Sequence, residues 1–274
     1  HGKDTANGEM VRGVPPAARL LTAFLITATA IFMLVPLAVV MLSSLSASEF
    51  LVFPPRGFSL RWYGEIMASD AYLNAGWTSI KLALVVTVLA IAIGTPTAIA
   101  LYRFRLPGGE ALGALFLSPL VLPTLIFGIG LLVLFSSWGG GPSFSGLVIG
   151  HLVISLPYVI RTVGAVLADA DPALEEAART MGANVWQRYR YVVLPQCAAG
   201  MAAGGFFAFN ISFDDAVVAL FMRAPDVETL PLRIYSQLEF SPDPSVAAVS
   251  TIMILLTIFL VFIIDRLFGL KRIA

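Results

Sequence analysis

Two adjacent carboxylates, Asp214 and Asp215, interrupt an apolar run from Ala198 to Phe221, with Asn210 one turn earlier. An ionised aspartate at a bilayer centre costs about 2.5–3.5 kcal/mol on insertion scales, so acids in such runs face a polar cavity or a partner. Paired acids of this kind attract cationic solutes, and an aromatic face from Phe213 or Tyr235 would add a cation–π contact of about 0.5–2 kcal/mol. The alternative reading is that Asp214 or Asp215 caps a short helix or pairs with Arg223 or Lys81. Adjacent residues differ by about 100° around an ideal helix. Both carboxylates therefore reach one pathway only where the backbone breaks, and one then binds while the other braces. Little else in the chain offers chemistry. His1 and His151 form no H-E-x-x-H pair, and G-x-S-x-G is absent. A single cysteine, Cys197, allows neither a disulfide framework nor a multi-Cys metal site. None of Lys3, Lys81 and Lys271 ends a G-x-x-x-x-G-K-[ST] loop. The expectation is a chain with no metal or cofactor of its own, any ATP and Mg²⁺ being handled by another polypeptide.

The elements that must position these acids are membrane spans. Of 274 residues, 58% are hydrophobic and 12% charged, with a mean hydropathy of +0.88, against about 25% charged in soluble domains. The 17 basic and 17 acidic residues cancel, which argues against a nucleic-acid binder. A span needs about 20 apolar residues, and six runs qualify: 20–45, 77–101, 111–135, 146–167, 198–221 and 246–270. The first is too long for the roughly 7–15-residue core of a signal peptide. With the N-terminus inside, eleven basic residues fall on the cytoplasmic side (Lys3, Arg12, Arg19, Arg103, Arg105, Arg179, Arg188, Arg190, Arg266, Lys271, Arg272) and four outside (Arg56, Arg61, Arg223, Arg233), so the positive-inside rule places both termini in the cytoplasm. The reading is a cytoplasmic arm (1–19), a six-span domain (20–270) and a short cytoplasmic tail (271–274).

Within the spans, Gly200 and Gly204 permit close helix contact of the G-x-x-x-G type. Pro119, Pro123 and Pro157 are expected to interrupt spans three and four. His151 and Arg161 read as interhelical or interfacial structure. Trp62, Trp77 and Trp138 read as interface-belt aromatics.

The segment 169–197 is the most informative connection. Asp171-Pro172 opens a helix, with Asp171 as N-cap and Pro172 at the first helical position. Glu175 and Glu176 favour its early turns, and Gly182 suits a left-handed C-cap. Asn184 with Gln187 resembles a capping box opening a second helix, which Pro195 ends or redirects.

Glu176-Ala177-Ala178, three residues, Gly182, nine residues, Val192, one residue and Leu194-Pro195 resemble the EAA motif of bacterial ABC importer permeases, with Val in place of Ile. The resemblance implies an all-α integral membrane protein of the type I importer permease architecture: six transmembrane helices with a cytoplasmic coupling helix. It implies that Glu175, Glu176, Ala177, Ala178 and Gly182 sit at a surface docking an ATPase, and that Leu194 and Pro195 return the chain to the membrane. Further partners follow from the family: a second permease, two ATPase subunits and an extracytoplasmic binding protein, in a bacterial inner membrane. Phe53-Pro54-Pro55 with Trp62-Tyr63, Ser118 to Pro123, and Ser212-Phe213-Asp214-Asp215 with Thr229-Leu230-Pro231 and Ile234-Tyr235 are similar to the spermidine/putrescine branch, in its second permease. The expected pathway residues are Asp214, Asp215, Asn210, Phe213 and Tyr235, and the expected cargo is a polyamine. Ferric iron, γ-aminobutyrate and opine importers share parts of these patterns. A self-sufficient secondary transporter is the rival reading and a membrane enzyme the weakest.

Overall fold

The computed structural model describes residues 15–104, 107–224, 227–240 and 242–268. Most of the expected N-terminal arm, Arg105, the end of the sixth run and the whole tail 271–274 lie outside them. The described residues are helical, with two isolated antiparallel bridges, Ser46 to Phe58 and Ala224 to Val227, and no further strand.

Contacts divide the chain into two units, His1–Tyr63 with Asp243–Thr251, and Gly64–Pro242 with Ile252–Ala274. In the first, α1 (Pro16–Ser43) begins with proline where the missing N–H costs nothing. It is apolar throughout, and its most apolar window has no residue buried within the chain. The segment after it folds back on itself. Ser59 N–H donates to Leu45 O (2.8 Å), Ser44 Oγ meets Tyr63 Oη at 2.7 Å, and the Trp62 indole N–H donates to Ser46 O at 3.0 Å. Trp62 is buried, so it pins this loop rather than lying in an interface belt, because its N–H finds a carbonyl inside the protein. Trp77 and Trp138 are exposed, at 66% and 77%.

The second unit is built on three long helices. α3 (Asp70–Arg103) follows a short α2 (Arg61–Ala68). It starts seven residues before the apolar run at Trp77, because Asp70 in its first turn suits the positive end of the helix dipole. The chain continues through α4 (Gly109–Leu117), whose last turn tightens over Ser118–Leu120, and α5 (Thr124–Ser137). These two halves of the third run meet at 100°, since Pro119 and Pro123 supply no N–H to carry the helical ladder across. α6 (Phe144–Asp169) runs unbroken through Pro157, contrary to the expected interruption.

α7 (Ala173–Thr180) and α8 (Val185–Gln196) form the 169–197 connection, and α9 (Ala198–Asp214) leaves α8 at 64° beside Cys197. The fifth run ends at Asp214, not Phe221. Asp215 is extended (φ −71°, ψ 119°), and a separate α10 (Val217–Phe221) follows. α11 (Leu230–Phe240) and α12 (Ser245–Phe268) complete the chain.

Small residues let α3, α6 and α9 approach. A methyl on Gly94 would stand 2.9 Å from Val159 Cβ. One on Gly200 would stand 2.8 Å from Thr162 O, and one on Gly204 2.7 Å from Val159 Cα. The G-x-x-x-G pair therefore lies directly on the α6 backbone. One core packs Ala90, Ala98, Val159, Ile160, Val163, Cys197 and Ala208, and a second packs Leu82, Val86, Leu147, Val218, Met222 and Leu232. Ser79 Oγ on α3 accepts Leu230 N–H at 2.7 Å and fixes the start of α11.

Candidate functional site

Two regions gather the residues singled out by type and spacing. The first is the α7–α8 hairpin. Asp171 Oδ1 accepts Ala173 N–H (2.8 Å) and starts α7. Glu175 and Glu176 occupy its first turn, and Gly182 (φ +84°) ends it, with Gly182 N–H on Arg179 O and Ala183 N–H on Ala178 O. Asn184 and Gln187 exchange both capping-box bonds at 2.8 Å and open α8. The hairpin is thus specified by local hydrogen bonds at each end, which holds a short helix that propensity alone would not sustain.

Its two glutamates point apart. Glu175 is half-buried and ion-pairs with Arg103 at the end of α3, while Arg188 Nη1 lies 3.9 Å from its other oxygen. Glu176, Ala177 and Gly182 are exposed, and Ala178 is buried on the side facing α8. Around them lie exposed apolar side chains: Leu174, Met181, Val185, Trp186 and Tyr191. A hollow of about 470 Å³ opens between the helices, lined by Ala178, Met181, Gly182, Ala183, Gln187 and Tyr191. A small-residue surface with an apolar rim and a depression is what another protein's projecting side chains pack against. Leu194 is half-buried and Pro195 exposed. Tyr189–Val193 widens into a π turn in which Leu194 N–H reaches back to Tyr189 O.

The second region is the break between α9 and α10. Asp214 is exposed and has no ion-pair partner among the described residues. Asp215 turns inward and its Oδ2 accepts Val218 N–H at 2.7 Å, capping α10. The neighbouring carboxylates thus leave the backbone in different directions. Neither pairs with the two cations considered for them: Arg223 lies 3.9 Å from Glu228, and Lys81 Nζ stands over the Phe144 ring at 4.8 Å. Asn210 donates to Phe206 O on its own helix (2.9 Å). Phe213 is buried and stacked on Phe209 at 5.5 Å. It offers no free face to a cation, since the turn that exposes Asp214 rotates its predecessor inward. Tyr235 on α11 is 47% exposed.

Sequence reasoning missed two partners. Arg103 holds Glu175 from about seventy positions upstream, a pairing that only the fold supplies. His151, fully buried on α6, places Nδ1 3.0 Å from Ser212 Oγ and Nε2 3.7 Å from Asp215 Oδ2. The signal available was a lone imidazole in an apolar run, read correctly as an interhelical link but without its partners.

The comparisons agree with this geometry. Residues 90–272 match the family described as "Binding-protein-dependent transport system inner membrane component". The chain is 33% identical over 243 residues to the spermidine/putrescine transport system permease protein PotC of Escherichia coli (strain K12), covering 89% of this chain and 92% of that one. It is 30% identical over 230 residues to the putrescine transport system permease protein PotI of the same organism, covering 81% and 82%. Among solved structures, a bacterial ABC transporter involved in the import of the acidic polysaccharide alginate superposes with a TM-score of 0.68 at 17% identity, over 93% of this chain and 99% of that one. The MetNI methionine ABC transporter in an inward-facing conformation gives 0.59 at 21% identity, over 71% and 93%. The helical hairpin with its capped motif, the broken helices around it and these matches lead to one conclusion: the chain belongs to the family of binding-protein-dependent transport system inner membrane components, the membrane permeases of ABC importers.

Proposed function

We propose that this permease forms half of a polyamine pathway, paired with a second permease. In this reading the α7–α8 hairpin lies in the cytoplasm and couples the pathway to two ATPase subunits, while a binding protein delivers putrescine or spermidine from outside. Both termini are cytoplasmic. ATP and Mg²⁺ are handled by the partner, as expected of a chain without a phosphate loop. The relatives' names support the substrate class. The observation that carries it is the exposed Asp214 at a helix break, an acid without an ion pair among the described residues. An ammonium group meeting it during passage gains a charge-assisted hydrogen bond. Asn210 and Tyr235 flank it as lesser contributors.

Coupling follows from the hairpin's construction. A rigid-body displacement of a bound ATPase is transmitted through α7 to Arg103 and α3 by the Glu175 ion pair, and through α8 to α9 by the chain itself. Alternating access then reduces to movement of α9 and its break relative to the second permease.

The deciding experiment is ATP-dependent uptake of labelled putrescine into vesicles holding the complete importer and its binding protein. Unlabelled spermidine, γ-aminobutyrate and ferric iron serve as competitors. Competition by spermidine, with loss of uptake in Asp214→Asn, is the expected result. Intact ATP hydrolysis without putrescine uptake would discard the polyamine assignment.

A further inference from the structure

The α9–α10 break is tied down from α6 by a buried imidazole. His151 has no exposed surface and is surrounded by Leu147, Ile154 and Val218, an environment in which a polar ring costs free energy unless its nitrogens are used. Nδ1 is bonded to Ser212 Oγ (3.0 Å), itself buried on the last turn of α9. Nε2 has no hydrogen-bond partner and points at Asp215 Oδ2, 3.7 Å away, the oxygen that caps α10. Ser212 and Asp215 are three residues apart and share one face of the chain as it leaves α9. Asp214, two residues after Ser212, lies about 200° around the helix from it. Fixing Ser212 and Asp215 toward α6 therefore fixes Asp214 away from it.

We propose that His151 is a positioning residue: held by Ser212 and facing Asp215, it sets the α9–α10 break so that Asp214 projects outward into the substrate path. This rests on the reading of Asp214 as the pathway carboxylate. The role is geometric, and the imidazole itself touches no substrate.

The test uses the complete importer with its binding protein in proteoliposomes, measuring putrescine uptake and binding-protein-stimulated ATP hydrolysis side by side. Loss of one buried hydrogen bond is worth about tenfold in rate. His151→Leu fills the space without polar atoms and is expected to lower uptake about tenfold while ATP hydrolysis stays within about twofold of wild type. His151→Asn retains a polar group at the Nδ1 position and is expected to restore most of the uptake. In the double variant His151→Leu/Asp214→Asn, uptake is expected to equal that of Asp214→Asn alone, because both changes act on one carboxylate. Ser212→Ala, a smaller change at the same link, is expected to show the same split and serves if His151→Leu does not assemble. Parallel loss of uptake and ATP hydrolysis, losses that multiply in the double variant, or wild-type uptake in both His151→Leu and Ser212→Ala would overturn the positioning role alone. Wild-type uptake in Asp214→Asn would overturn the reading of Asp214 and the positioning role with it.

Discussion

Asp214 and Asp215 share a side-chain type and adjoin in sequence, yet the fold gives them opposite duties. Asp215 caps α10 through Val218 N–H, and a cap of this kind is worth about 0.5–2 kcal/mol. Asp215→Ala is therefore expected to lower the thermal midpoint of the purified complex, whereas Asp214→Asn leaves it unchanged and removes uptake. Scanning both variants by tryptophan fluorescence separates the two outcomes. Legibility at this scale follows the range of the interaction. The Asn184–Gln187 box and the left-handed Gly182 were readable because donor and acceptor lie within three or four residues. Trp62 was misread as a belt residue because its acceptor, Ser46 O, is brought to it by the return of a loop. Phe213 was misread because its burial depends on a break that the apolar pattern does not record.

Between elements, the crossing of α9 over α6 depends on glycine. At Gly204 an added methyl would meet Val159 Cα at 2.7 Å, a backbone atom that cannot rotate away. Gly204→Ala is expected to cost about 1–3 kcal/mol through forced separation of the helices, read as a lower thermal midpoint and reduced yield of assembled complex. Gly76 on α3 has open space around it. Gly76→Ala should be neutral or stabilise by up to about 1 kcal/mol from helix propensity alone. The contrast tests packing, since the chemical change is the same. The hairpin behaves as an element too. With Glu175 held to Arg103 and Arg188, Glu175→Arg is expected to sever the hairpin from α3 and lower uptake per ATP hydrolysed. The exchange Arg103→Glu/Glu175→Arg should recover part of that ratio. Ala177→Trp, on the exposed side of α7, is expected to spare membrane insertion and abolish substrate-stimulated ATP hydrolysis. The G-x-x-x-G contact and the hairpin were legible because each is a short sequence pattern. The 100° bend in the third run was foreshadowed by its prolines, but the unbroken course of α6 through Pro157 was not. A proline's effect depends on whether neighbouring helices enclose the ladder it interrupts.

For the whole molecule, hydropathy located all six apolar segments, because the length of a span is set by the bilayer and not by its neighbours. It did not reveal that two of the six are bent pairs. The topology proposed from basic residues makes its own prediction. Cys197 is buried, so the native thiol gives little background to a membrane-impermeant maleimide added outside intact cells. A cysteine at Phe53 should be labelled, and one at Met181, which is 81% exposed, should be labelled only after the membrane is opened. The reverse pattern would invert the protein in the membrane and remove the hairpin from the ATPase's compartment.

The π turn at Tyr189–Val193 turns the spacing of the motif into a measure of angle. It holds one residue more than an α-helical path would need, and each residue advances a helix by about 100°. The nine residues between Gly182 and Val192 therefore set the rotational phase of α7 relative to α9 as well as their separation. Deleting Arg190 should relax the turn to ordinary α-helix and leave every helix intact. The docking face would then be presented about 100° out of phase, giving an importer that assembles its membrane domain and no longer responds to its motor.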